Sequence, residues 1–98
     1  MPAYKAPLRD IRFLMNEVFD YTEHYKTIAA GQNADADTID MILEGAADFC
    51  ENILSPLNQS GDEEGCHFKD GEVTTPKGFK EAYDQFVQGG WQGLSYPE

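Results

Sequence analysis

Apolar residues recur along this chain at the three- and four-residue spacing of amphipathic helices, in three separate stretches. The first opens at Pro7, whose missing N–H suits a first helical position. At about 100° per residue, Leu8, Ile11, Leu14, Met15, Val18 and Phe19 gather on one side of a helical wheel. Arg9, Arg12, Asn16, Glu17 and Asp20 take the other side. Phe13 falls in the middle of that polar face, a position that makes sense when a further surface packs against it. Residues 21–30 predict a short helix turning Tyr21, Tyr25 and Ile28 inward, and residues 31–36 a loop.

The second stretch, about Asp37 to Leu54, carries the clearest helical pattern. Ile39, Ile42, Leu43, Ala46, Phe49, Cys50 and Ile53 form an apolar arc. Asp37, Asp40, Glu44, Asp48 and Glu51 form an acidic stripe almost opposite it. Asp35 or Asp37 serves as its N-cap, and Asp40 in the first turn is favoured by the helix dipole. Like charges three and four residues apart oppose a helix by a few tenths of a kcal/mol per pair. Burial of the arc must therefore hold this element. Pro56 is expected to end it, since a proline ring blocks the preceding turn.

Residues 58–74 are polar and read as a loop, with Gly61, Gly65 and Gly71 as turn residues and Phe68 and Val73 as anchors or a short extended stretch. A third helix is predicted from Thr75-Pro76, with Phe79, Ala82, Tyr83, Phe86 and Val87 on one face, and Gly89-Gly90 stops it. The tail from Trp91 to Glu98 is rich in apolar and aromatic residues and has no core of its own. The fold class is all-α: a small helical domain of three main helices with short helices and loops.

Ninety-eight residues limit the chain to one small domain. Its 41% hydrophobic content is too high for a disordered tail. No apolar run approaches the roughly 20 residues of a membrane span. The opening residues lack the pattern of a secretory signal, so the cytoplasm is the expected compartment. Eighteen acidic residues against seven basic ones give a formal net charge of −11, and no Lys or Arg lies between Thr27 and Phe68. Nucleic acid and anionic membranes, both bound through clustered cations, are excluded as partners on that ground. The acidic stripe reads first as a solvated face.

Candidate chemistry is thin. In Gly61-Asp62-Glu63-Glu64-Gly65-Cys66-His67, a calcium loop counted from Asp62 puts Cys66, His67 and Val73 at its fifth, sixth and twelfth positions, where a ligand, a glycine and a glutamate are needed. Cys66 and His67 with His24 and Cys50 match no zinc spacing. Cys50 reads as a small buried hydrophobe and Cys66 as a free loop thiol. A thiol-dependent catalyst needs an oriented base that the sequence does not supply. No glycine-rich phosphate cradle is present. Accordingly, no catalytic, cofactor-binding or metal-binding residue is assigned.

The two ends of the chain carry a family resemblance. The opening, Tyr4-Lys5-Ala6-Pro7-Leu8-Arg9-Asp10-Ile11-Arg12-Phe13-Leu14-Met15-Asn16-Glu17-Val18, resembles the N-terminal extension of a subgroup of bacterial acyl-CoA dehydrogenases that includes the 3-methylmercaptopropionyl-CoA dehydrogenases. Ile53-Leu54-Ser55-Pro56-Leu57-Asn58 and Gly61-Asp62-Glu63-Glu64-Gly65-Cys66 resemble the family's first domain helix and the turn behind it. Gly89-Gly90-Trp91-Gln92-Gly93-Leu94-Ser95-Tyr96-Pro97-Glu98 is similar to a family segment that continues into glutamate-tyrosine-glycine-glycine.

The resemblance implies a parent of several hundred residues with a helical N-terminal domain, a middle β-domain and a C-terminal bundle. It also implies FAD between the last two, an acyl-CoA substrate, and electrons leaving through an electron-transferring flavoprotein. In the parent, a glutamate takes the α-proton while hydride passes from the β-carbon to the flavin. None of the residues that do this has a counterpart here. Residues 1–36 would be the extension and 37–98 the first helices of the N-terminal domain. The expectation is therefore a truncated piece, inactive alone, without bound FAD, packing on the remaining domains and able to self-associate through the surface meant for them. The alternative is a stand-alone acidic helical module that binds another protein.

Overall fold

The computed structural model describes residues 3–96. Its backbone is helical through most of that length, with one two-stranded hairpin, as an all-α reading requires. The chain divides into two bodies, Tyr4–Glu51 and a second built on the residues from Asn52 onward.

In the first body, α1 spans Leu8–Arg12, with Pro7 at its N-cap position. The ladder then widens into a π-helical segment, Phe13–Val18, in which the Phe19 N–H donates to the Leu14 carbonyl five residues back at 3.0 Å. Each residue of a π turn advances by less than the α-helical angle, so the wheel predicted for residues 8–19 fails beyond Arg12. Leu8, Ile11 and Met15 are half-buried, but Leu14, Val18 and Phe19 are exposed together with Phe13. Asp20 takes a left-handed conformation and starts α2, Tyr21–Lys26, and a 3-10 turn follows at Ala29–Gly31. This is the short helix expected there. Tyr25 is half-buried, whereas Tyr21 and Ile28 are exposed.

Helix α3, Ala36–Phe49, begins where the capping signal placed it: the Asp35 carboxylate accepts from the Thr38 N–H at 2.8 Å. That hydrogen bond is the chief reason the Asp35 carboxyl is held below the usual carboxylate range. A depressed pKa in the folded state means the cap stabilises above the ordinary carboxylate pKa and is lost as pH falls through the lowered value. Asp35→Ala should therefore lower the thermal midpoint at pH 7, and the gap from the parent chain should close as pH drops below about 4. A gap that stays constant well below pH 4 would show that the carboxylate is not the cap.

Pro56 does not end the helix. The α ladder gives way at Cys50–Leu54 to a second π-helical segment, and a new ladder begins at Ser55. Pro56 lies in the first turn of that new helix, α4, Ser55–Glu64, where its missing N–H needs no partner. The run Asp62-Glu63-Glu64, expected in a loop, is consequently helical. Gly61 is not a turn residue but a buried position inside α4: a Cβ there would lie 2.5 Å from Cζ of Phe79. Glycine is unfavourable in a helix interior by roughly 1 kcal/mol, and here it makes room for that ring.

Gly65 follows α4, and the chain enters an antiparallel hairpin of β1, His67–Lys69, and β2, Glu72–Thr74. Asp70 and Gly71 both have positive φ, the twist a two-residue hairpin turn requires. Phe68 pairs with Val73, which resolves the extended stretch predicted there as a true ladder. Thr75-Pro76 does not cap the third helix. Pro76 is buried in a turn whose carbonyl accepts from the Phe79 N–H, and α5, Phe79–Gln88, starts behind Gly78. It ends at Gly89-Gly90, with Gly90 left-handed as predicted, and Trp91–Gly93 form a last 3-10 turn.

Candidate functional surfaces

Within the first body, the opening of the chain lies along the acidic stripe of α3. The Arg12 Nε donates to Asp40 Oδ1 at 2.7 Å, and its Nη2 donates to Glu44. Seven residues earlier, Lys5 Nζ stands 3.6 Å from a Glu51 carboxylate oxygen, and the Ala6 N–H donates to the other at 3.4 Å. Residue numbers rise on one side as they fall on the other, so α1 runs antiparallel to α3. The hydrogen bond to Glu44, ahead of that to Asp40, raises the already high guanidinium pKa of Arg12. Asp40 and Glu44 are one helical turn apart and repel each other. A planar guanidinium between them, with donors spread over a rigid fork, relieves both at once.

The stripe read as a solvated face is thus also a seam. What signalled it in the sequence was a matched spacing: Lys5 and Arg12 are seven residues apart, as are Glu44 and Glu51. On a wheel of about 100° per residue, Asp40, Glu44 and Ala47 of α3 fall within about 60°, and Glu51 follows in the π-helical segment after it. Ala47 is the buried residue of α3.

The residues weighed for metal or thiol chemistry are not brought together. His24 lies on α2 against Tyr21 and Tyr25, with ring centroids 6.3 and 5.9 Å away. Cys50, read as a small buried hydrophobe, is only half-buried. Cys66 is exposed just before β1 and His67 opens that strand, also exposed. Among the described residues, no three of His, Cys, Asp and Glu are grouped to hold a metal ion. In the supposed calcium loop, Glu63 accepts from Gln59 within α4 at 3.0 Å, and Glu64 accepts from the Lys77 N–H at 3.0 Å. These carboxylates serve local structure.

The more telling surfaces are apolar. Among the described residues no large side chain is fully buried, and Ala47 and Ala82 are the buried hydrophobic positions. On the first body, Phe13, Leu14, Val18 and Phe19 are open along the π-helical segment, and Met41 stands 73% exposed on α3. On the second, the hairpin pair Phe68 and Val73 is 74% and 67% exposed. Tyr83, stacked on Phe86 at 6.2 Å, is open on α5, with Leu94 and Tyr96 beyond it. A lone exposed apolar residue is ordinary, but so many on elements this short are surfaces that ask for cover. No described helix is long and apolar enough to cross a membrane.

No protein-family model matches the chain. Over 94 residues it is 37% identical to the 3-methylmercaptopropionyl-CoA dehydrogenase of Ruegeria pomeroyi, a match covering 96% of this chain and 16% of that protein. Over 90 residues it is 32% identical to the butyryl-CoA dehydrogenase of Syntrophomonas wolfei, covering 89% of this chain and 15% of that protein. The chain spans about a sixth of the length of the curated relatives it matches.

Proposed function

We propose, from the premise that the chain is acyl-CoA dehydrogenase sequence over nearly all of its length, that it is the N-terminal structural part of an FAD-dependent enzyme of that family. In this reading residues 1–36 are an extension, and residues 37–98 are the opening helices of the N-terminal helical domain. The parent performs α,β-dehydrogenation of an acyl-CoA thioester in the cytoplasm and passes electrons to an electron-transferring flavoprotein.

The observation that carries the reading is the near-complete match of this chain to a sixth of each of two dehydrogenases. The open apolar faces on both bodies support it, because the remaining domains of such a parent would cover them. The residues in hand do not suit the flavin. Its pyrophosphate calls for clustered cations or a glycine-rich cradle; Lys5, Arg12, Lys26 and Lys80 are each engaged with carboxylates, and Arg9, Lys69 and Lys77 lie on α1, on β1 and in the turn before α5, with no two on the same element. We assign the flavin, the thioester and the proton-abstracting glutamate to other parts of the parent, and to this chain the task of packing against them. Separated from them, its apolar faces favour self-association.

The test is flavin content and acyl-CoA-dependent dye reduction, measured on this chain and on the product of the full reading frame that encodes it. Colour and turnover in the full product, with neither in the chain alone, is the expected result. A colourless, inactive full product overturns the proposal and returns the acidic protein-binding module as the better account.

A further inference from the structure

The seam between α1 and α3 has an unusual makeup. No residue of α1 is buried; Leu8 and Ile11 reach only a half-buried state. Apolar burial therefore holds this segment weakly. What fixes it is charge at both ends: Lys5 and the Ala6 N–H on Glu51, and Arg12 on Asp40 and Glu44. Between those two grips the α3 face carries Ala47, 6% exposed, whose single methyl lets a neighbouring helix come close. The arrangement is a short basic helix beside α3, gripped by carboxylates that lie on either side of the buried Ala47 along the sequence.

We propose that residues 5–12 form an ion-latched strap: a segment that seats on the Asp40–Glu44–Ala47–Glu51 strip of α3 through its two charge grips and lifts off as a unit when they are screened or removed. The strip beneath is then a docking face for a short basic amphipathic helix, and the strap is its resident occupant. The inference stands independently of the enzyme family. It follows from the solvent exposure of Lys5, Asp40 and Glu44, which opens each ion pair to screening on one side although Arg12 and Glu51 are half-buried, and from the lack of a buried anchor in α1 that would keep the segment seated without them.

Limited trypsin digestion of the whole chain, read by mass spectrometry, tests this at bonds the strap itself supplies. Arg12 is held between two carboxylates and its bond to Phe13 continues a helix, so cleavage there requires the strap to lift. Between about 0.01 M and about 1 M salt the Debye length falls from about 30 Å to about 3 Å. Cleavage after Arg12, normalised to cleavage after Lys80 on α5, should rise on the order of fivefold across that range. Glu44→Gln should give a comparable rise at low salt and flatten the salt dependence. In the charge-swapped pair Arg12→Glu with Glu44→Arg, cleavage after Arg9 at low salt should return toward the level of the parent chain, whereas Arg12→Glu alone should raise it. An Arg12 bond indifferent to salt and to Glu44→Gln would overturn the strap, as would a rise matched in full at Lys80, which signals unfolding of the chain instead.

Discussion

Gly78→Val should destabilise the second body by about 2–4 kcal/mol, a large fraction of the stability of so small a unit. Gly78 precedes α5 with φ of +92°, a region a β-branched residue enters only with strain. Its Cβ would also come within 2.7 Å of Leu57 Cδ2. Leu57 is half-buried and the contact involves the end of its side chain, so that collision can relax in part. The backbone strain cannot relax without moving the start of the helix. The variant Gly78→Asn separates the two causes, since Asn tolerates left-handed backbone but still carries a Cβ. It should lose less than half of what Val loses. Trp91, the single tryptophan, sits beyond the end of α5 and reports this body by fluorescence during thermal unfolding. An unchanged midpoint for the valine variant would mean that Gly78 does not adopt this conformation.

That glycine also marks where the sequence could be read and where it could not. The pattern gave the helical class and narrowed the cap to Asp35 or Asp37, because both rest on local chemistry: periodic apolar residues, and a carboxylate three residues before an N–H that needs a partner, which the fold assigns to Asp35. It failed at Phe13–Val18 and Cys50–Leu54, where the ladder widens into π turns. A wheel drawn at a fixed angle has no means of sensing that change. The misplaced stop at Pro56 is the same error seen from the other side, since a proline that breaks one continuous helix fits readily into the first turn of a new one. The start of α5 was misplaced for a related reason. Thr75-Pro76 has the residue types of a helix entry, but Pro76 closes a turn on Phe79, and the left-handed Gly78 opens the helix.

The hairpin was legible in a single dipeptide. Asp70-Gly71 is among the strongest short-range hairpin signals, but the strands it joins are three residues each, too short for their alternation to stand out from a polar loop. The seam of Lys5 and Arg12 on α3 was written in matched seven-residue spacings, but only knowledge that α1 and α3 run antiparallel turns those spacings into contacts. No catalytic constellation was read from the sequence. In a stretch matching a sixth of a dehydrogenase, the signs of function are instead apolar residues at exposed positions. Phe13 was one of these, visible on the wheel as a misfit and exposed in the fold.

Gly31→Ala should cost the first body about 1–3 kcal/mol, a large effect for the smallest possible addition. The cause differs from that at Gly78. Gly31 closes the 3-10 turn after α2, where its N–H donates to the Ile28 carbonyl at 3.1 Å and its carbonyl accepts from the Ala34 N–H at 3.0 Å. A Cβ there would lie 2.5 Å from the Tyr25 carbonyl oxygen and 3.0 Å from the Tyr25 Cα. Those are backbone atoms, so no rotamer change can yield the space. Either α2 shifts as a whole, disturbing the contact of Tyr21 with Phe19 at 5.6 Å, or the turn opens and its hydrogen bonds are lost. Both routes act on residues 25–34, and amide hydrogen exchange over that stretch should accelerate by roughly tenfold or more. Unchanged protection there would show that the turn and α2 are not packed this closely. In that case the loop leading to the Asp35 cap could carry a side chain at no cost.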